Sequence, residues 1–365
     1  MTKTSPMNTG GLLNKSLFFF WLALFVFISF CLGQAAENVL SITAVGDIMM
    51  GTTYPEAVLP PNDGAGIFGS VKSNFSASDI VFGNLEGPLV DNGKSDKCQK
   101  HSRMCFAFST PTRYANYLKD AGFNVLNVAN NHSFDFGGKG IQSTVETLDA
   151  LSIRSIAADK IEHFDVKGKR VALVGFSFSS PSPYSINDIT AAKQIVSDLK
   201  ASNDLVIVSF HGGAEGKQSL HILNTNEIFA GENRGNVIAF SRAMIDTGAD
   251  LVLGHGPHVL RAVELYKNKL IVYSLGNFLT YGRFNIADEN RFSIILKANI
   301  SLVTGDFADG KIIPVRLVNR GIPEPDPDNT AVKLIQELTA KDIGRGDLII
   351  TAEGALEKSN KDHEL

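Results

Sequence analysis

Cysteine, tryptophan and histidine are sparse in this chain, at three, one and eight of 365 residues. Once Cys31 is set aside in an apolar N-terminal stretch, one pair of cysteines is left, Cys98 and Cys105. Positive charge is not in excess either. Lys and Arg number 34 against 38 Asp and Glu, a net charge of -4, which argues against nucleic acid as a partner. No internal repeat, low-complexity tract or charge run interrupts the chain, so nothing in its composition marks a linker between domains. With so few histidines, their positions become informative.

The N-terminus carries Lys3 and Lys15, then an uncharged apolar run over residues 17–32, then Gly33-Gln34-Ala35-Ala36. A cationic flank, a mid-length apolar core and small residues make a secretory signal over residues 1–35, with cleavage after Ala35. The run is only slightly short of a membrane span, so an uncleaved anchor is the alternative, and membrane association would then come through the N-terminus. Bulky Phe30 before Cys31 speaks against a lipoprotein signal. Export to the periplasm or cell envelope makes a Cys98–Cys105 disulfide the default in the polar loop DNGKSDKCQKHSRMCF. A metal knuckle that adds His101 competes with it.

The remaining residues suffice for one large or two modest domains. Strand-like runs fall at 41–45, 80–82, 124–128, 170–176, 205–210, 251–253, 269–274, 292–298 and 312–318. In the first two thirds they alternate with helical patterns near 111–120, 140–151, 189–201 and 235–247, which means an α/β fold. Later strands are joined by short turns such as Tyr266-Lys267-Asn268-Lys269, so part of the sheet is antiparallel hairpin. A two-sheet sandwich with helices outside fits both halves. The main domain is placed at 40–320, with a C-terminal extension over 321–365 that packs on it through a helical pattern at 328–339 and ends in a polar tail.

Several strand-like runs end in residues that can ligate metal. Asp47 follows Val45-Gly46, Asn84 and Glu86 lie in GNLEGPL, and Asn130-Asn131-His132 with Asp135 follows the run at 124–128. Period two puts Asn84 and Glu86 on one side of their strand. His211, His255 and His258 each follow an apolar run, and imidazole beside carboxylate and amide oxygen is how Zn, Mn or Fe sites are built. Any one of these residues is more commonly a turn, a helix cap or a buried structural histidine; the case for a site rests on their repetition. The set Asp47, Asn84 or Glu86, Asn131, His211, His255 and His258 exceeds what one ion needs, which suits two divalent cations about 3.5–4 Å apart. A single ion with a structural second set is the alternative. His132, oriented by Asp135, suits a general acid. Arg261 and Arg283, near the histidine loop, are candidates for binding an anionic substrate, with surface ion pairing as their plainer role.

The ordered motifs AVGDIMMG, VFGNLEGPL, VANNHSFDFGGKG, SFHGGAE, GADLVLGHGPHVLR and IVYSLGNF resemble those of the CapA family of bacterial capsule or poly-γ-glutamate synthesis proteins. That family is similar to the calcineurin-like metallophosphoesterases, and the resemblance runs from about residue 41 to 284. It implies a four-layer αββα sandwich of mixed sheets with a two-metal site at the strand ends. On this mapping Asp47 is the first-strand ligand, Asn84 stands where phosphoesterases place a bridging Asp, Asn131 is a ligand and His132 the acid. His211, His255 and His258 complete the coordination. Met49 replaces a histidine of the phosphoesterase pattern, Asn84 is neutral, and His255-Gly256-Pro257-His258 is one residue wider than the usual spacing. Fewer anionic ligands imply weaker binding of a second ion, for which Glu86 can compensate. The implied function is a metal-dependent hydrolase of capsule or polyglutamate biosynthesis, acting on a phosphoester or amide of an anionic polymer. The competing function is a non-catalytic subunit that binds polymer or the subunits of a membrane synthase.

Overall fold

A computed structural model describes residues 1–2, 38–76, 78–98, 105–344 and 346–359. The leader or anchor, His101 of the metal knuckle and the end of the polar tail lie outside the described residues. Leu40–Leu365 is one unit and Met1–Val39 another. Among the described residues, no helix is long and apolar enough to cross a membrane.

In chain order the strands are β1 (Val39–Met49), β2 (Ile80–Leu85), β3 (Val125–Asn127), β4 (Arg154–Ile156), β5 (Glu162–Val166), β6 (Lys169–Ser177), β7 (Leu205–His211), β8 (Ile228–Phe229), β9 (Glu232–Asn233), β10 (Leu251–His255), β11 (Val263–Tyr266), β12 (Lys269–Val272), β13 (Asn277–Thr280), β14 (Phe292–Ser301), β15 (Phe307–Val318), β16 (Ile322–Pro325), β17 (Leu348–Ile350) and β18 (Ala355–Lys358). The helices are α1 (Ala115–Ala121), α2 (Gly137–Ala150), α3 (Ile189–Ser202), α4 (Val237–Thr247) and α5 (Thr330–Asp342). A ten-stranded sheet runs β17-β18-β15-β14-β1-β2-β3-β4, with β13 on β1 and β16 on β15. A six-stranded sheet runs β11-β12-β10-β7-β6-β5. Both are mixed: β1, β2, β3 and β4 pair in parallel, as do β6, β7, β10 and β12, whereas β14–β15 and β11–β12 are antiparallel.

Strand alternation sorts the apolar side chains into layers. Leu40, Ile42 and Ala44 of β1 meet Leu205 and Ile207 of β7 and Leu251 and Leu253 of β10 in a core between the sheets. The alternate residues Val45 and Ile48 face outward onto Leu118 of α1 and Leu148 of α2. On the other side, Val206, Val208 and Val252 face Val196 of α3 and Phe240 of α4. The result is the expected four-layer αββα sandwich, and the central strands are buried on both faces, as parallel strands covered by helices must be.

Helix ends follow their capping residues. Asp188 accepts from the Ala191 N–H to start α3, and Asn236 accepts from the Ala239 N–H, so α4 begins after Asn236 rather than at Gly235. Gly46 does not turn the chain. β1 continues through Asp47 to Met49, and a Cβ on Gly46 would lie 1.9 Å from the Gly276 carbonyl oxygen; the glycine permits a close backbone approach. The C-terminal segment is part of the packing: Ala331, Val332 and Ile335 of α5 enter the core between the sheets, and β18 pairs with β15.

Candidate metal centre

Sheet register builds the site. Asp47 on β1 lies opposite Asn84 on β2, which lies opposite Asn127 on β3. In the other sheet, His255 on β10 lies opposite His211 on β7, opposite Ser177 on β6. The two rows occupy the carboxyl ends of parallel strands and meet across the gap between the sheets. Asn84 Nδ2 is 3.3 Å from His211 Nδ1, and His255 Nδ1 is 3.4 Å from Asp47 Oδ1. Two loop residues complete the group. Glu86 follows β2, its N–H bonded to the Ile48 carbonyl, and His258 follows β10 in the left-handed region at φ +58°. The side chains of Asn277 and Asn290 both donate to the His258 carbonyl and hold it there.

Asp47, Glu86 and His258 each present a ligand atom, all within 4.8 Å of one another, and all three residues are buried. His258 Nδ1 is 3.0 Å from Asp47 Oδ2, and Asn84 Nδ2 donates to Asp47 Oδ1 at 2.8 Å. Glu86 Oε1 lies 3.6 Å from His258 Nε2, 3.7 Å from His211 Nε2 and 3.9 Å from His132 Nε2. These separations exceed hydrogen-bond reach. Both Glu86 oxygens, His211 Nε2, both His255 nitrogens and the Asn131 side-chain oxygen are buried without a hydrogen-bond partner. Orphaned polar atoms cost about 1–3 kcal/mol each when buried, and they rarely gather in one place. Carboxylate and imidazole atoms converging without donors are the ligand chemistry of a divalent cation, so the residues fit a metal.

The electrostatics of the protein alone are correspondingly strained. Burial raises the Glu86 carboxyl well above the ordinary range, with Asp47 and Glu215 adding to the effect. Burial acts the same way on Asp47, but the adjacent His255 and His258 imidazoles outweigh it and hold that group below the usual carboxylate range. Burial works against a charged His258, yet Glu86, Asp47 and Glu215 overcome it and raise the group to about 10. His211 is pushed well down, chiefly by burial.

His132 borders the cluster. Its Nδ1 bonds Asp135 Oδ2 at 2.8 Å, which leaves Nε2 facing Glu86. A cavity of about 660 Å³ opens over this group and is lined by Lys97, Phe106, Phe108, Asn131, Arg234 and Arg283, among others. Phe108 packs 4.6 Å from the His132 ring, and Phe284 lies 4.9 Å from the His258 ring. Cys98 and Cys105 are joined by a disulfide beside this cavity.

One expected role does not survive, and Asn84 makes other contacts than those of a ligand. Arg261 is fully buried: its Nη1 and Nη2 bond Glu227, its Nε bonds the Ser219 carbonyl, and no face is left for a substrate. Arg283, by contrast, is exposed at the cavity, with a 3.4 Å contact to the Glu56 carbonyl. Asn84 is not placed as a ligand. Its side-chain oxygen accepts from Asn127 at 2.8 Å and Asn130 at 3.1 Å, so its amide instead holds Asp47. Residues missed in the sequence are Asn127, Glu215 and Arg234, whereas Asn130, named there only within the Asn130-Asn131-His132 run, bonds the Asn84 side-chain oxygen. Glu215 ends the SFHGGAE motif, lies 3.9 Å from His258 Nε2 and pairs with buried Arg234 at 2.8 Å. Its place in the motif that carries His211 was a usable signal; Asn127 had none.

Residues 41–281 match the family model described as "Bacterial capsule synthesis protein PGA_cap". "PGA biosynthesis protein CapA" of Bacillus subtilis (strain 168) is 33% identical over 261 residues, covering 67% of this chain and 64% of the relative. The match thus spans slightly less than two thirds of that protein. "Capsule biosynthesis protein CapA" of Bacillus anthracis is 30% identical over 350 residues, covering 89% of this chain and 79% of the relative. Among solved structures, a phosphatase from Mycoplasma pneumoniae aligns with a TM-score of 0.46 and 16% identity, over 80% of this chain and 95% of that one.

Proposed function

This chain belongs to the bacterial capsule synthesis family to which the CapA proteins belong, and on that premise we propose that it is an exported, metal-dependent hydrolase of the cell envelope serving capsule or poly-γ-glutamate biosynthesis. The observation that carries this reading is the convergence of Asp47, Glu86, His211, His255 and His258 with so many buried polar atoms lacking hydrogen-bond partners. Two divalent cations, Mn, Zn or Fe, would be held by these residues with Asn131. Such ions supply Lewis-acid polarisation and water activation at neutral pH.

The protein's own groups have separable tasks. Asn84 fixes Asp47 by donating to one of its oxygens. Asp135 takes the Nδ1 proton bond of His132, so that Nε2, facing the cluster, can hold a proton for a departing oxygen of a phosphoester or amide. Phe108 and Phe284, packed on the two imidazoles, limit water access from the cavity side. Arg283 at the cavity supplies a guanidinium for phosphate or carboxylate.

A second reading is favoured by one observation: with Asn84 consumed by its amide neighbours, Asp47 and Glu86 are the carboxylates at the centre of the cluster. That charge suits one ion, and the domain would then act as a polymer-binding or scaffolding subunit of a membrane synthase. One experiment separates the two. Metal content is measured on the purified protein, and turnover is assayed with Mn, Zn or Fe on phosphodiester, phosphomonoester and γ-glutamyl substrates. About two ions per chain, with turnover abolished by His132→Ala and by Asp47→Ala, supports the hydrolase. One ion or none, with no turnover on any substrate, sinks it.

A further inference from the structure

The loop that carries the disulfide does more than border the cavity. Asp135 has a fully buried side chain, and its carboxylate is held from three directions. His132 Nδ1 and the Phe108 N–H both reach Oδ2 at 2.8 Å, and Lys97 Nζ pairs with Oδ1. Ser95 Oγ donates to the Asp135 carbonyl at 2.5 Å, and the Lys97 N–H donates to Ser95 Oγ. Lys97 Nζ also donates to the carbonyl of Asn131, the residue before His132. Two of these partners flank the cystine: Lys97 immediately precedes Cys98, and Phe108 follows Cys105 by three positions.

We infer that Lys97 is a positioning residue for the His132–Asp135 pair, and that the Cys98–Cys105 disulfide is what keeps Lys97 and the Phe108 N–H together on Asp135. The inference rests on the reading of His132 as the group that delivers a proton, and it adds a redox dependence to that site. A buried carboxylate is tolerated when its oxygens are compensated by charge and by donors. Asp135 compensated in this way has both oxygens engaged, and its bond to His132 Nδ1 fixes one imidazole tautomer with Nε2 toward the cluster. Without the Lys97 charge and the Phe108 N–H, the carboxylate loses two of three donors and can rotate. Both tautomers of His132 then become accessible. Lys97 Nζ has its donors directed at Asp135 and the Asn131 carbonyl and lies 3.5 Å from His132 Nδ1, so it acts on the His132–Asp135 pair rather than on a substrate.

The test compares the full-length protein with Lys97→Met, Lys97→Arg and the double variant Cys98→Ser with Cys105→Ser, and with wild type reduced by dithiothreitol. The primary readout is the pair of His132 ring-nitrogen signals in NMR at fixed pH, beside metal content and melting temperature. Wild type and Lys97→Arg should show a single ring state in which Nδ1 is protonated toward Asp135 and Nε2 alone exchanges its proton. Lys97→Met, the double variant and the reduced protein should show a tautomer mixture at unchanged metal content. In any substrate assay that reports turnover, kcat should fall about ten- to a hundredfold with KM unchanged, and Lys97→Arg should restore most of it. An unchanged His132 signal in folded Lys97→Met and in reduced wild type would overturn the inference. Because the NMR readout needs no substrate, absence of turnover in wild type counts against the hydrolase and leaves this result standing.

Discussion

A guanidinium without solvent access cannot exchange its partners for a ligand. Arg261 bonds Glu227 through two nitrogens and two backbone carbonyls through Nε and Nη2, so it ties the segment around 214–227 to the histidine loop. Arg261→Met should therefore leave Glu227 as an uncompensated, nearly buried carboxylate, costing about 3–5 kcal/mol in denaturant unfolding. Arg283→Ala should leave that stability within about 0.5 kcal/mol and raise KM for an anionic substrate instead. Equal loss of stability in both variants would refute the distinction. At this scale the sequence was informative where a residue type is rare: three of eight histidines placed after apolar runs do converge with Asp47. It was uninformative for Arg261 and Asn84, whose roles depend on which way an amide or guanidinium points. That direction is set by Glu227, Asn127 and Asn130, all remote in sequence from the groups they bond.

Elements were legible in proportion to their length and burial. β1, β6, β7, β10, β14 and β15 carry long apolar runs and lie at or near the expected positions, as do α2, α3 and α4. Short pieces such as β4, β13, β17 and β18 span three or four residues, too few for a period to show. β13 is not among the strand-like runs of the sequence, yet it pairs with the end of β1 and sets Asn277 opposite Asp47. The helix of the C-terminal segment was visible; its depth was not. Ile335 on α5 is fully buried in the core between the sheets, so Ile335→Ala should destabilise the protein by about 2–5 kcal/mol in denaturant unfolding. A loss below about 1 kcal/mol would show that α5 is an appendage rather than part of the sandwich.

For the whole molecule, the position of the cluster would couple a bound metal to the fold. Asp47 and Glu86 come from the ten-stranded sheet and its loop, whereas His211, His255 and His258 come from the six-stranded sheet and its loop. A cation held by both sets joins the two sheets at one edge of the core, and the unfolded chain offers no such preformed site. Binding free energy therefore adds to folding free energy: at a free metal concentration of 100 Kd, one site contributes about 2.7 kcal/mol. Chelation should lower the thermal midpoint, and restoring Mn or Zn should recover it in a concentration-dependent way. Asp47→Ala should remove most of that metal dependence, because Asp47 touches both His255 and His258 and is buried with them. The same variant relieves the apo protein of a buried carboxylate, so its metal-free midpoint need not fall as far as that of a core truncation. The metal-dependent increment, not the absolute midpoint, is thus the quantity to compare. An increment equal in wild type and Asp47→Ala, measured by calorimetry over the same metal titration, would place the ion elsewhere and detach the cluster from the stability of the fold.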